Sequence, residues 1–186
     1  FAEIITGEYL GPAENSYRER AGEIVSQAQL LLAAVEDIDL AARLKSHERL
    51  DAAELSDALA HGWEDIERQA QERGVTVAIA SADEPARCGV SPQLLQRLVE
   101  RMCLAVIGSS DEGESLIFRI GSEASGCALS VDMPRKLKAT DLRPDRNRRA
   151  GDSATLPLRL VTGLARAAGG DLVASRGRLT LRLPKA

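Results

Sequence analysis

Few residues in this chain combine the types and the spacing that chemistry requires. There are two histidines, far apart. His47 stands in a charged stretch, Lys45–Arg49, where a solvated side chain is the ordinary outcome. His61 stands in Ala60-His61-Gly62-Trp63, on a short helical segment. Neither has a cysteine at metal-ligand spacing. Glu36, Asp37 and Asp39 look like paired carboxylates. Neighbours in sequence point to different sides of a helix, so they read as a solvated face rather than an acid–base pair. Cys88, Cys103 and Cys127 lie well apart and form no metal-ligand or disulfide framework. An odd count of this kind fits a reducing compartment, with Cys103 a buried thiol inside an apolar helical pattern. Arg143, Arg146, Arg148 and Arg149 form a basic cluster that could grip phosphates. A merely soluble, charged stretch explains it as well.

The elements that must position these residues are clearer than the residues themselves. Tyr17, Ala21, Ile24, Ala28, Leu31, Val35, Ile38 and Ala42 are spaced alternately four and three apart. A heptad seam of that length predicts a helix over Tyr17–Lys45, packed in a bundle or coiled coil. Val25, Leu32 and Leu44 widen the apolar stripe beyond what one neighbour covers. Phe1–Tyr9 reads as the end of a preceding helix, stopped at Gly11-Pro12. That gives a helical hairpin. So short a partner leaves most of the seam bare, which predicts a homodimeric four-helix bundle with Ile24, Ala28, Leu31, Val35 and Ile38 at the interface.

Beyond a linker at Lys45–Arg49 the pattern changes. Asp51–Gly74 is helical and Val75–Ala80 alternates as a strand, followed by a loop at Ala82–Gly89. Ser91-Pro92 is an N-cap with Pro at the first helical position, opening a largely buried helix to about Ile107. Leu116–Ile120 and Cys127–Val131 read as paired strands. Pro134–Ala154 is basic and aperiodic. Leu156–Ala168 is helical, and Leu172–Ser175 and Leu179–Leu183 close the chain as strands around Arg176-Gly177. Short turns between strands exclude an all-parallel sheet. The fold class is therefore α+β: a helical hairpin, residues 1–46, then residues 51–186 as a mixed sheet with helices on one face.

Composition fits that division. The 186 residues carry 44% apolar and only 3% aromatic residues, so the core is built from Leu, Val, Ile and Ala. A net charge of −4 supplies no global field for nucleic acid. No signal peptide and no membrane-length apolar run is present. The chain opens at Phe1 inside a helical pattern and reads as a fragment, whose full-length protein could carry a membrane anchor upstream.

The order of elements resembles a sensor histidine kinase: a dimerisation and phosphotransfer hairpin followed by an ATPase domain of the Bergerat type. Phe1-Ala2-Glu3-Ile4-Ile5, Gly11-Pro12, Tyr17-Arg18-Glu19-Arg20-Ala21 and Leu30 to Arg43 carry the hairpin's likeness. The resemblance places the phosphoacceptor histidine two to three helical turns ahead of Phe1. His47 has only the adjacent acid of the phosphoacceptor setting, and His61 lacks even that.

Three nucleotide motifs of that family have counterparts here, and each is altered. Two asparagines four apart on a helix match Arg101 and Ala105, and no asparagine occurs in Ser91–Ser110. Asp-x-Gly-x-Gly matches Asp132-Met133-Pro134-Arg135-Lys136, which keeps the acid and loses the glycines. Asp132 is thus either a vestigial nucleotide-binding residue or part of a surface turn. Gly-x-Gly-Leu-Gly-Leu matches Ser153-Ala154-Thr155-Leu156-Pro157-Leu158. There every glycine is replaced, one by Pro, which removes an N–H donor. The leucines, which pack, are kept.

What the resemblance implies is two-component signalling: phosphoryl transfer to a response-regulator receiver domain by a cytoplasmic homodimer, with ATP and Mg²⁺ as the family's cofactors. The altered motifs imply weak or absent ATP binding and no catalytic residue within this chain. An ATP-independent histidine phosphotransferase, or a non-catalytic scaffold that binds a response regulator, is the alternative.

Overall fold

A computed structural model of the chain describes residues 2–7, 9, 11, 14–45, 52–80, 85–123, 126–138 and 155–186. The expected linker at 45–49, beyond Lys45, and the basic cluster within 143–149 lie outside the described residues. The chain forms two compact units, Phe1–Asp39 and Leu40–Ala186.

The first unit is a helical hairpin. Helix α1 spans Ala2–Thr6 and α2 begins at Asn15 and runs to Lys45. The Gly7 N–H donates to the Glu3 carbonyl at 2.9 Å, closing the last turn of α1. Gly11, at φ 115°, takes a backbone conformation that residues with a Cβ rarely adopt. Glu14 receives the first amides of α2, from Tyr17 and Arg18. Among the described side chains of the heptad row only Ala21 is buried; Tyr17, Ile24, Leu31 and Val35 are 61, 58, 54 and 65% exposed.

The second unit is an α/β sandwich. It opens with a two-residue strand β1 (Ala53–Glu54), helix α3 (Leu55–His61) and helix α4 (Trp63–Glu72). One helix was expected over Asp51–Gly74. Gly62 instead ends α3 and starts α4, which bends the chain so that Leu55, Leu59, Ile66 and Ala70 all reach the core. Strand β2 (Thr76–Ala80) follows, then β3 (Arg87–Cys88), α5 (Pro92–Gly108), β4 (Ser115–Glu123) and β5 (Gly126–Asp132). Helix α6 (Thr155–Ala167), β6 (Asp171–Ser175) and β7 (Arg178–Pro184) complete the unit.

The main sheet has the order β2-β4-β5-β7-β6. Only β2 and β4 run parallel; α5 lies in the crossover that such a pair needs. The other neighbours are antiparallel, so the sheet is mixed, as expected. Strands β1 and β3 pair separately and were not anticipated, because two residues are too few to show alternation. One sheet face supplies Leu116, Phe118, Ile120, Cys127, Leu129, Val131, Leu179, Leu181 and Leu183 to a core shared with α3–α6. Phe118 is its largest fully buried side chain and meets Trp63 edge to face, with ring centroids 6.3 Å apart. Burying a side chain of that size contributes about 3 kcal/mol.

Cys88 and Cys127 are joined by a disulfide, with Cα atoms 5.7 Å apart. The reading of three separate thiols therefore fails for two of them. Cys88 belongs to the unanticipated strand β3, and only the fold brings it beside β5. Cys103 is free and buried, and burial pushes its thiol well above the ordinary range.

Candidate functional site

The three altered motifs fall on α5, on the segment after β5 and, for their described part, on the start of α6. Helix α5 is positioned by its N-cap: the Ser91 hydroxyl accepts from the Leu94 N–H at 3.4 Å, with Pro92 at the first helical position. Its buried side is almost continuous, from Leu94 and Leu95 to Val106 and Ile107. Gln96, Arg97, Glu100, Arg101 and Leu104 make up the part-exposed row. A side chain that touches a ligand from this helix must belong to that row. Arg101 does. Ala105, its expected partner, is only 5% exposed and faces the core. Of the four-residue pairs on the row, Glu100 and Leu104 stand one residue ahead of the expected positions. Neither carries an amide, and Leu104 offers a metal no oxygen.

Alternation along β5 decides where Asp132 points. Cys127, Leu129 and Val131 enter the core, so Asp132 projects from the opposite face of the sheet. There its two oxygens are engaged: Arg119 Nη1 donates to one at 2.9 Å and Arg178 Nε to the other at 3.2 Å. Desolvation pushes the carboxyl up, but hydrogen bonds and charge from Arg119 and Arg178 outweigh it and hold the group below the usual carboxylate value. The next residue, Met133, packs partly buried against the core.

The segment that follows is closed on itself. The amides of Met133, Arg135 and Leu137 donate to Gly177 O, Glu114 Oε1 and Pro134 O at 2.8, 3.1 and 3.0 Å. Pro134 has no N–H to give. Glu114 also accepts from the Asp111 amide at 3.1 Å, and Lys136 pairs with Asp111. Where the family's second motif has glycines that let backbone approach the ligand, this chain has a turn in which the Met133, Arg135 and Leu137 amides already have partners. In α6, Leu158, Val161, Leu164 and Ala165 are buried, and Pro157 stands in the first turn. Residues 153 and 154 lie outside the described residues.

The remaining candidates are dispersed. His61 is exposed at the end of α3, beside a cavity of about 290 Å³ also lined by Glu54, Asp57 and Gln96. No group of side chains among the described residues could hold a metal ion. His47 lies outside the described residues, as do the side chains of Glu36, Asp37, Ile38 and Asp39 on α2. Ile24, Ala28, Leu31 and Val35, the other expected interface residues, are all exposed on the isolated hairpin.

No protein-family model matches the chain, and no curated protein matches it by sequence. Its fold has many solved counterparts. The Acinetobacter baumannii histidine kinase AdeS matches 98% of this chain and 92% of its own, with a TM-score of 0.65 at 12% identity. A histidine kinase from Burkholderia phymatum STM815 matches 100% of this chain and 90% of its own, with a TM-score of 0.57 at 16% identity. Full-length ShkA, solved in complex with AMPPNP, matches 100% of this chain and 42% of its own, with a TM-score of 0.58 at 19% identity. At these identities the likeness is one of fold, and the fold this chain carries, hairpin and α/β sandwich together, is that of the histidine kinases.

Proposed function

We propose that this chain acts in two-component signalling as a histidine-kinase-like homodimer that transfers phosphoryl groups to a response-regulator receiver domain and binds ATP weakly or not at all. Residues 1–46 serve as the dimerisation and phosphotransfer hairpin, joined through Ile24, Ala28, Leu31, Val35 and Ile38. Residues 51–186 serve as an ATPase-like domain. The phosphoacceptor imidazole belongs ahead of Phe1 in this reading, and its neutral form is the nucleophile. Work in the cytoplasm is part of the proposal. Among the described residues no helix is long and apolar enough to cross a membrane.

The observation that carries the loss of ATP is the part-exposed row of α5, which offers Glu100 and Leu104 where nucleotide and Mg²⁺ need amides. The closed turn at Met133–Leu137 supports it. On the nucleotide side of the sheet the position after Val131 is Met133; Asp132 serves as an ion-pair acceptor on the far face. The same observation is compatible with the two alternatives, an ATP-independent histidine phosphotransferase or a non-catalytic scaffold that binds a response regulator. A thermal shift with ATP and Mg²⁺ tests the loss. A ligand at one hundred times Kd stabilises its protein by about 2.7 kcal/mol, several degrees in Tm. The expected result is no shift at millimolar nucleotide. A saturating shift in the micromolar range returns the chain to the ATP-dependent kinases.

A further inference from the structure

The Cys88–Cys127 disulfide lies outside the proposed signalling chemistry, and its surroundings give it a role. Both cysteines are almost fully buried, at 0 and 1% exposure. Cys127 belongs to β5 in the middle of the sheet, whereas Cys88 belongs to the two-residue strand β3. Besides the cross-link, β3 is held by backbone pairing at its edge, with Ala86 and Val90 buried on either side and Ala86 O accepting from the Leu55 N–H at 3.0 Å. Its neighbours are Ala53 and Glu54 of β1, a bridge from Cys88 to Lys185, and the Gly89 amide on Pro184 O at 2.8 Å. Three residues after Cys88 comes Ser91, the N-cap of α5. The cross-link therefore fastens the lead-in of α5 to the centre of the sheet. A cavity of about 420 Å³ lies beside the pair, lined by Arg87 and Gly126, which directly precede the two cysteines, and by Pro85, Ser122 and Lys185. A two-stranded pair this short has few backbone hydrogen bonds to break when it opens locally.

We infer that Cys88–Cys127 is a redox-responsive clamp, closed by a small-molecule disulfide and opened by a small-molecule dithiol that enters when the β1–β3 pair opens. In the opening step the dithiol's thiolate attacks one sulfur and the other leaves as thiolate. The second thiol then resolves the mixed disulfide. The protein gains two thiols, and the reductant becomes a disulfide. Glutathione disulfide reverses the exchange and departs as two glutathione thiols. Closed, the clamp holds the start of α5 against β5; open, β1 and β3 separate from the sheet while the main core persists.

The test is thiol counting by mass spectrometry after alkylation in denaturant, together with melting of the native chain. Treatment with glutathione disulfide should leave one alkylated cysteine, Cys103. Dithiothreitol added to the native protein should expose three, reversibly. A closed loop of 39 residues sets the expected loss on reduction at roughly 10 °C in Tm. The C103S variant should keep that difference and C88S should lose it. Three alkylated cysteines after oxidation, stable glutathione adducts in place of the cross-link, or reduction that proceeds only in denaturant would each overturn the proposal. These readouts use the wild-type chain, so a C88S variant that fails to fold does not protect it.

Discussion

The hairpin and the α/β unit use the same apolar residues to opposite ends. In the α/β unit, regularly spaced Leu, Val and Ile on α5, α6 and the inner sheet face are almost completely buried. In the hairpin, Ile24, Leu31, Leu32 and Val35 repeat as regularly and are left more than half exposed. A row of apolar side chains that bare is uncommon on a stable monomer. The α/β unit buries its apolar rows within itself; the described apolar row of the hairpin is left open. No buried side-chain polar atom among the described residues lacks a partner, and after β5 the Met133, Arg135 and Leu137 amides donate to Gly177 O, Glu114 Oε1 and Pro134 O.

Substitutions that attack each region in its own terms sharpen this difference. The largest effect belongs to Leu31→Asp. Two-fold symmetry puts two unpaired charges into one dry seam, costing about 5 kcal/mol or more. The dimer should dissociate at tens of micromolar in sedimentation while the melt of the α/β unit is unchanged. Phe118→Ala should do the reverse. Truncating this buried ring costs about 3–5 kcal/mol, lowering the midpoint of denaturant unfolding of the α/β unit and leaving subunit association intact. Equal loss of association in both variants would erase the distinction between the regions.

Smaller effects come from the closed turn. Glu114→Ala deprives the Arg135 and Asp111 amides of their acceptor and should cost about 1–2 kcal/mol, with faster hydrogen exchange at those amides. Asp132→Asn should cost less, about 0.2–1 kcal/mol, because its pairs with Arg119 and Arg178 are half-exposed and screened by solvent. The sign with pH follows from its depressed carboxyl. That stabilisation is present above the unfolded carboxylate pKa, about 4, and is lost as pH falls through the lower folded value. The wild type should therefore lose its small advantage over Asp132→Asn only in acid. An advantage that grew as pH fell would contradict the pairing.

Much of this was legible in the sequence, for physical reasons. Helix α2 announces itself through a heptad period, α5 through Ser91-Pro92, and the β4–β5 hairpin through alternation, because each signal is local. What escaped depends on contacts between distant segments. Strand β3 is two residues long, so nothing marked Cys88 as the neighbour of Cys127. Gly62 splits α3 from α4 because core contacts favour a bend there. The facing of Asp132 was within reach: Cys127, Leu129 and Val131 alternate inward, and carrying that period one residue further turns Asp132 outward and Met133 inward. Likewise, the apolar positions of α5 already assign Ala105 to the core side.

Light scattering of the intact chain at tens of micromolar tests the central claim most directly, that the hairpin is an unfinished fold awaiting a second copy. The account predicts twice the 19.9 kDa chain mass, falling to the single-chain mass for Leu31→Asp. A wild-type chain that scatters as a monomer at that concentration contradicts it.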